Sequence, residues 1–330
     1  MAILVCGGAG YIGSHAVQAL LDKGERVIVA DNLSTGFAGA VPAEAVFCKV
    51  DMRDAEGLDE LFRAHSIRAV MHFAASSQVG ESVVIPRAYF DNNVHGTLIL
   101  LDTMEKHGVR HIIFSSTAAV YGMPEHVPIP ENAPALPVNP YGESKLCVEK
   151  MLHWLDSAGS VRYVALRYFN VAGAHPQGHI GEAHMPETHL IPLILEVPLG
   201  KRQALTVYGQ DYDTPDGTCI RDYIHVSDVV EAHLLALEYL EMGGASDYFN
   251  LGNGQGFSVK EIVQAAEQVT GQTIPFTVGP RRAGDPPRLV ASSAKAYDTL
   301  GWKPKFTSLE AIIRSAWQWH SSHPEGYSCK

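Results

Sequence analysis

Short unbroken apolar runs alternate with segments of helical period through the first half of the chain. Ala2-Ile3-Leu4-Val5-Cys6 is such a run, as is Val27-Ile28-Val29-Ala30, which ends on Asp31. Val46-Phe47-Cys48-Lys49-Val50 ends at Asp51, Ala69-Val70-Met71-His72-Phe73 at Ala74-Ala75, and His111-Ile112-Ile113-Phe114 opens into Ser115-Ser116-Thr117. Tyr163-Val164-Ala165-Leu166-Arg167 is the last of the series, ending at Tyr168. Runs of this kind, apolar without alternation, read as parallel strands buried on both faces. Between them, residues 14–23, 55–64 and 86–106 carry helical periodicity. Strand and helix in strict alternation predict an α/β fold with a doubly wound parallel sheet. Ligands of such sheets bind beyond the carboxyl ends of the strands. Asp31, Asp51, Ala74, Ser115 and Tyr168 all fall there, which marks them as one candidate site.

After Asn170 the pattern changes. Residues 171–222 are rich in Gly, Pro and His with few regular runs, and the later strand-like (248–251) and helical (259–270, 309–320) pieces suggest a smaller mixed unit. The division expected is 1–170 for a first, sheet-built domain, with returning segments near 221–252, and 171–330 mainly for a second.

The first turn carries chemistry. Gly7-Gly8-Ala9-Gly10-Tyr11-Ile12-Gly13 follows the first strand directly and opens a helix. Strand, glycine turn, helix, strand and acid is the context that makes this pattern a dinucleotide signature. The glycines admit a pyrophosphate to the backbone, and the helix N-terminus holds it. Asp31 stands where a carboxylate meets the adenosine ribose. It would repel a 2′-phosphate, and Asn32-Leu33-Ser34 offers no Arg, so NAD is favoured over NADP.

Asn139-Pro140 starts a second informative helix, since Asn caps and Pro suits the first turn. Tyr141 and Lys145, four apart, then share one face. A free phenol, with a pKa near ~10, is a poor base at neutral pH. An ammonium beside it favours the phenolate. Alone the pair is weak evidence, because Tyr four before Lys is common on solvated helices. Beside a hydride acceptor it becomes a candidate base for an alcohol proton, and Thr117 a candidate relay. Arg221, Arg281 and Arg282 lie in irregular stretches and suit a diphosphate. Tyr208 is a candidate base-stacking residue; a core tyrosine is the plainer alternative.

The remaining composition mostly excludes. The 330 residues carry a net charge of −11, against a nucleic-acid or anionic-membrane partner. No apolar run approaches the ~20 residues of a membrane span. The five cysteines are scattered without Cys-x-x-Cys, and Met1 leads into the first strand without a signal peptide, so a cytoplasmic location is expected. His175, His179, His184 and His189 match no familiar ligand spacing, and the sequence offers no Cys or close carboxylate pair to complete a set, so no metal is expected.

Taken in order, Gly7 to His15, Ser115 to Gly122, Tyr141-x-x-x-Lys145, Arg167-Tyr168-Phe169-Asn170, Arg221 to Val226 and Arg281-Arg282-x-Gly284-Asp285 resemble the UDP-glucose 4-epimerases of the extended short-chain dehydrogenase/reductase superfamily, essentially end to end. The resemblance implies interconversion of UDP-glucose and UDP-galactose with bound NAD. Tyr141 would take the 4-hydroxyl proton while C4 gives its hydride to the nicotinamide, with Thr117 relaying the proton and Lys145 depressing the phenol together with the oxidised nicotinamide's charge. It implies that Gly7, Gly10, Tyr11, Ile12, Gly13, Asp31, Asn32, Ser34, Asp51, Met52, Phe73, Ala74, Ala75, Asn92, Ser115, Tyr141, Lys145 and Tyr168 line NAD. It further implies that Thr117, Tyr141, Asn170, His189, Leu190, Tyr208, Arg221, Arg282 and Asp285 line the UDP-sugar, and that two copies form a homodimer. Three departures stand out: Thr117 where many members carry Ser, no lysine in Ala75-Ser76-Ser77-Gln78, and Leu289 where bulky members carry Tyr. The last implies a roomier pocket and activity on UDP-N-acetylglucosamine. A 4,6-dehydratase is disfavoured by Ala118-Ala119, where that reaction needs an acid pair. An epimerase of UDP-glucuronate or UDP-arabinose, or a non-catalytic NAD sensor, stays open; intact Tyr141 and Lys145 argue against the sensor.

Overall fold

The apolar runs become a seven-stranded, all-parallel sheet. A computed structural model of the chain describes residues 1–282 and 285–327. The spatial order is Asp247–Leu251, Arg162–Tyr168, His111–Thr117, Ile67–His72, Ala2–Cys6, Val27–Asp31, Val46–Lys49. The first strand lies at the interior of this order and every residue of it is buried, which is why it shows no polar alternation. Its side chains divide by parity. Ile3 and Val5 join one core with Val229, Leu237 and Phe249, while Leu4 and Cys6 join another with Leu58, Leu100 and Leu152. Helices Tyr11–Asp22 and Val226–Glu241 supply the first layer, and helices Ala55–Ala64, Gly96–Lys106 and Pro140–Ser157 the second.

Several boundaries differ from expectation. The fifth strand runs through Ser115, Ser116 and Thr117 instead of ending before them, because all three pair in register with Leu166, Arg167 and Tyr168. Residues 86–106 are helical as expected, but Phe90–His95 widens into a π-turn. Such turns recur at functional sites; this one carries Asn92 and Asn93.

Helix Val226–Glu241 was not foreseen. It is apolar nearly all round, with ten buried residues, and its N-cap is His225, whose ring accepts from the Ser227 amide. Neither feature is a usual helix-start signal. The strand Asp247–Leu251 that follows pairs with Arg162–Tyr168 and closes one edge of the sheet.

The segment expected to be irregular holds short elements around a third core. Strand Leu205–Tyr208 pairs with Phe276–Gly279, and Ile220–Arg221 sits between Phe257–Ser258 and Arg288–Leu289. Ile191, Ile194, Leu205, Val207, Ile262 and Ile312 pack together there. Strand Asn170–Ala172 pairs with Tyr223–His225 and joins the two regions. Cys6, Cys48, Cys147 and Cys219 are all free thiols. Among the described residues no helix is long and apolar enough to cross a membrane.

Candidate active site

The glycine turn is built for close approach. Gly7 has φ +77°, and a Cβ there would lie 2.5 Å from the Ala74 amide nitrogen. A Cβ on Gly13 would lie 2.1 Å from the Gly7 carbonyl oxygen. Any side chain at either position would force the turn away from the neighbouring strand end. Gly10 caps the helix without a side chain, so the first-turn amides of Tyr11, Ile12 and Gly13 are left for an anion. The Tyr11 hydroxyl donates to the Gly173 carbonyl at 2.6 Å and links this turn to the second region.

Asp31 lies at the adjacent strand end. It accepts from the Ala9 amide at 3.0 Å and from the Leu33 amide at 2.8 Å. Burial raises its carboxyl above the ordinary value, and those two amides work in the opposite sense. Each carboxylate oxygen retains a lone pair for a ribose hydroxyl. Asn32 donates to Asp51 at 2.8 Å, and Ser34 is exposed, its backbone amide donating to the Asn32 side-chain Oδ1. Arg53, hydrogen-bonded to Asp51, holds that carboxyl well below its usual range. Met52 is buried, and Phe73 packs against His233 with ring centroids 4.6 Å apart. The Ala74 amide is bound to the Cys6 carbonyl, Ala75 is half-buried beside it, and Asn92 donates to Ser76 at 3.3 Å. These residues fit a dinucleotide: a turn that only glycine permits, a helix start for phosphate and a carboxylate for ribose converge along the strand ends.

The helix Pro140–Ser157 forms as expected, capped by Asn139, which accepts from the Gly142 amide at 2.9 Å. Thr117 works to favour the ionised Tyr141 phenol, and its hydroxyl accepts from the Ala119 amide at 3.1 Å. Lys145 is only 3% exposed and donates to the Ser115 carbonyl at 2.8 Å. Ser115 and Tyr168 join through their hydroxyls. Burial raises Tyr141 above its ordinary value, and Thr117 works to lower it. Lys145 is itself pushed down to about 7 by burial, with Glu149 opposing. Its nitrogen is engaged with the Ser115 carbonyl.

The candidate substrate residues form two groups. Arg221 and Asp285 are an ion pair with each other, and the Arg221 side chain is 11% exposed. The Asn170 amide binds the Asp222 carbonyl at 2.9 Å, on the neighbouring strand. The Arg282 guanidinium lies 4.4 Å from the centroid of the exposed Tyr208 ring. Arg281 is instead taken up by Asp211 at 2.7 Å and stacks on Tyr212. Gly284, part of the resemblance motif, lies outside the described residues.

His189 caps the short helix that Leu190 begins, and its surroundings differ from those expected. The four histidines do not form one group. His175 and His179 pack on each other with centroids 4.2 Å apart. His184 and His189 meet Glu182 and Glu187, the carboxylate pair not recognised in the sequence. Burial opposes charging both imidazoles, but the carboxylates outweigh it and raise His184 to about 9 and His189 to about 10.

The sequence model of the NAD dependent epimerase/dehydratase family matches residues 3–252, from the first strand to just past the returning one. The chain belongs to this family. A family relative named UDP-glucose 4-epimerase, from Halalkalibacterium halodurans, is 57% identical over 328 residues, spanning 99% of this chain and 98% of its own. A crystal structure of a UDP-glucose 4-epimerase superposes with TM-score 0.98 at 56% identity, covering 99% of this chain and all of that one. The Brucella ovis UDP-glucose 4-epimerase, in complex with NAD, gives TM-score 0.93 at 48% identity over 96% of this chain and 97% of its own.

The family fold also rests on groups absent from the sequence reading. Glu149, one turn beyond Lys145, is buried and accepts from Ser116 at 2.5 Å and from the Arg167 Nε at 2.8 Å. Buried Asn93 donates to Ser144 and to the Ser76 carbonyl, both at 3.0 Å, tying the π-turn to the Tyr141 helix. Asp222, fully buried, accepts from the amides of Asn253, Gly254 and Ala291.

Proposed function

We propose that this chain is an NAD-dependent UDP-sugar 4-epimerase that interconverts UDP-glucose and UDP-galactose, with Tyr141 as its proton carrier. The observation that carries the reading is buried Lys145, bound to the Ser115 carbonyl one helical turn beyond Tyr141, at strand ends shared with Thr117, the glycine turn and Asp31. Names and bound NAD among the relatives supply its support for substrate and cofactor. When bound, NAD supplies reversible acceptance of hydride at C4, with no net redox. Tyr141 Oη takes the C4 hydroxyl proton and later returns it. Thr117 offers its hydroxyl as the bridge between sugar and phenol. A charged Lys145, together with the positive charge that the oxidised cofactor would bring near the ring, favours the phenolate. Gly7, Gly10, Gly13, Asp31 and the flanking residues hold the dinucleotide. Arg221 and Arg282 face the diphosphate, while Asn170, His189, Leu190, Tyr208 and Asp285 line the remainder of the UDP-sugar.

Purified protein mixed with UDP-galactose should form UDP-glucose without any added oxidant, the product being measured afterwards with a UDP-glucose dehydrogenase supplied with its own NAD. No turnover of that substrate, with activity on UDP-glucuronate or UDP-arabinose, would reject the assignment.

Leu289 is half-buried and packs with Val120, Tyr121, Ile129 and Leu146. It pairs in register with Arg221, next to the proposed diphosphate contact. A leucine here leaves room that a tyrosine would fill. The wild type should therefore turn over UDP-N-acetylglucosamine, and Leu289→Tyr should cut that rate at least ~10-fold relative to UDP-glucose, a span within the discrimination available to steric fit. Equal loss on both sugars in paired rate measurements would contradict the assignment.

A homodimer belongs to the same proposal. Helices Gly96–Lys106 and Pro140–Ser157, with the segment before them, expose Val84, Leu98 and Trp154, the last at 71%. Large apolar residues exposed on adjacent helices suit burial against a second copy. Light scattering should give about twice the 35.8 kDa chain mass; a monomer at micromolar concentration would count against it. The cytoplasmic location expected from the sequence completes the reading, and fractionation of the source cells would test it.

A further inference from the structure

We infer that Glu182, His184, Glu187 and His189 form a binding site for a first-row divalent cation, with Zn2+ the best match. One ligand atom from each residue lies within 4.8 Å of every other. The Nδ1 atoms of His184 and His189 approach the same Glu182 oxygen, at 3.1 and 2.8 Å. From Glu187, one oxygen lies 3.2 Å from His189 Nδ1 and the other 3.8 Å from His184 Nδ1. Glu182 is 4% exposed. His184 Nδ1 is shielded from solvent and makes no hydrogen bond of acceptable geometry, although it is aimed into the cluster. Protons satisfy this arrangement only in part, because His184 Nδ1 stays without a hydrogen bond although the Glu182 oxygen is 3.1 Å away. A cation between the four groups accepts a lone pair from each and leaves none unpaired.

The donor set selects the ion. Two imidazole nitrogens and two carboxylate oxygens suit Zn2+ and its first-row neighbours. They fit poorly with Ca2+ or Mg2+, which prefer oxygen alone, and with Cu(I), which prefers sulfur. Two carboxylates and two neutral imidazoles also balance a charge of +2. Zinc bonds of about 2.0–2.2 Å to nitrogen and oxygen give tetrahedron edges of roughly 3.3–3.5 Å. The widest pair must therefore draw in by little more than ~1 Å, or a water must complete the shell.

The place of the cluster gives the ion a structural task. The Glu182 carbonyl accepts from Trp319 Nε1 at 2.9 Å, in the last helix. The His184 ring stands 6.4 Å, centroid to centroid, from Tyr11 of the glycine turn. His189 caps the helix Leu190–Leu195. A cation would fasten the 182–189 segment between the cofactor turn and the proposed sugar-lining residues His189 and Leu190. Ligation through Nδ1 leaves His189 Nε2 for the substrate role. Binding itself does not depend on that role.

The test uses the full chain without a histidine tag, NAD retained, stripped with a chelator and returned to chelator-free buffer. Titration with ZnCl2 should show one site per chain with micromolar or tighter affinity, and Zn2+ should raise the thermal unfolding midpoint. Glu182→Gln and His184→Gln, checked for NAD content and circular dichroism, should each weaken binding at least ~100-fold, since each deletes a ligand. Unchanged affinity in both variants, or no stoichiometric binding by the wild type, would overturn the proposal. If the variants fail to fold, Co2+ in the wild type decides. Intense visible bands of a four- or five-coordinate ion support the site, and their absence rejects it.

Discussion

Tyr141→Phe should lower kcat by about 10^3- to 10^4-fold while protein-bound NAD stays at the wild-type level, the upper range for loss of a positioned acid–base group. A factor of 10^3 corresponds to about 4 kcal/mol of transition-state stabilisation. Phenylalanine keeps the ring and its packing and deletes only the phenol oxygen. Thr117 cannot replace it, because an aliphatic alcohol is a far weaker acid than a phenol and has no means of holding the proton between the two half-reactions. The coupled UDP-galactose assay gives the rate, and absorbance of the purified protein gives the cofactor content. A loss smaller than tenfold would move the proton carrier to another residue.

Arg167→Met should be the most destabilising single change near the site, costing about 3–5 kcal/mol, as removal of one partner from a buried ion pair does. Arg167 and Glu149 are 4% and 6% exposed, and Glu149 binds both the guanidinium and Ser116. Without Arg167 the carboxylate stays buried with the serine hydroxyl alone. The double variant Arg167→Met, Glu149→Leu should recover most of the loss, because apolar replacement of both partners is often near neutral. Urea unfolding of the two variants and the wild type measures this. A single-variant loss below ~1 kcal/mol, or no recovery in the double, would show that the pair is not the brace inferred here. Ser116 lies between Ser115 and Thr117 in one strand, and Glu149 lies one turn from Lys145. The same pair therefore sets the spacing between strand and helix on which Tyr141 and Thr117 depend.

Burial on both faces explains why so much of the sheet was legible. A strand covered by helices on each side has no polar positions to confuse its reading, and Ala2–Cys6, Val27–Asp31 and Ile67–His72 are of this kind. Their carboxyl ends then located the candidate site without knowledge of any side-chain direction. The Tyr141–Lys145 pair was legible because a cap and a fixed helical repeat place i and i+4 on one face.

Direction was the missing information elsewhere. Helical spacing brings Lys145 below Tyr141, but only the fold shows its nitrogen on the Ser115 carbonyl. Arg221 and Asp285 stand 64 residues apart, so their ion pair has no signal in the sequence. The histidines at 184 and 189 showed no ligand spacing while the eye stayed on histidine, because the complementary carboxylates stand between and before them. Helix Val226–Glu241 was hidden by its own burial, since an element apolar all round has no amphipathic signal.

The sheet's outermost strand on one side, Asp247–Leu251, reaches its neighbour Arg162–Tyr168 only after nearly eighty intervening residues. Synthesis from the ribosome thus delivers six strands long before the seventh. Until it arrives, the strand bearing Tyr168 offers a row of bare amides and carbonyls, a template for pairing with other chains. Nascent protein stalled before residue 247 is where this molecule is most exposed to aggregation, and chaperone demand should peak in that interval of translation.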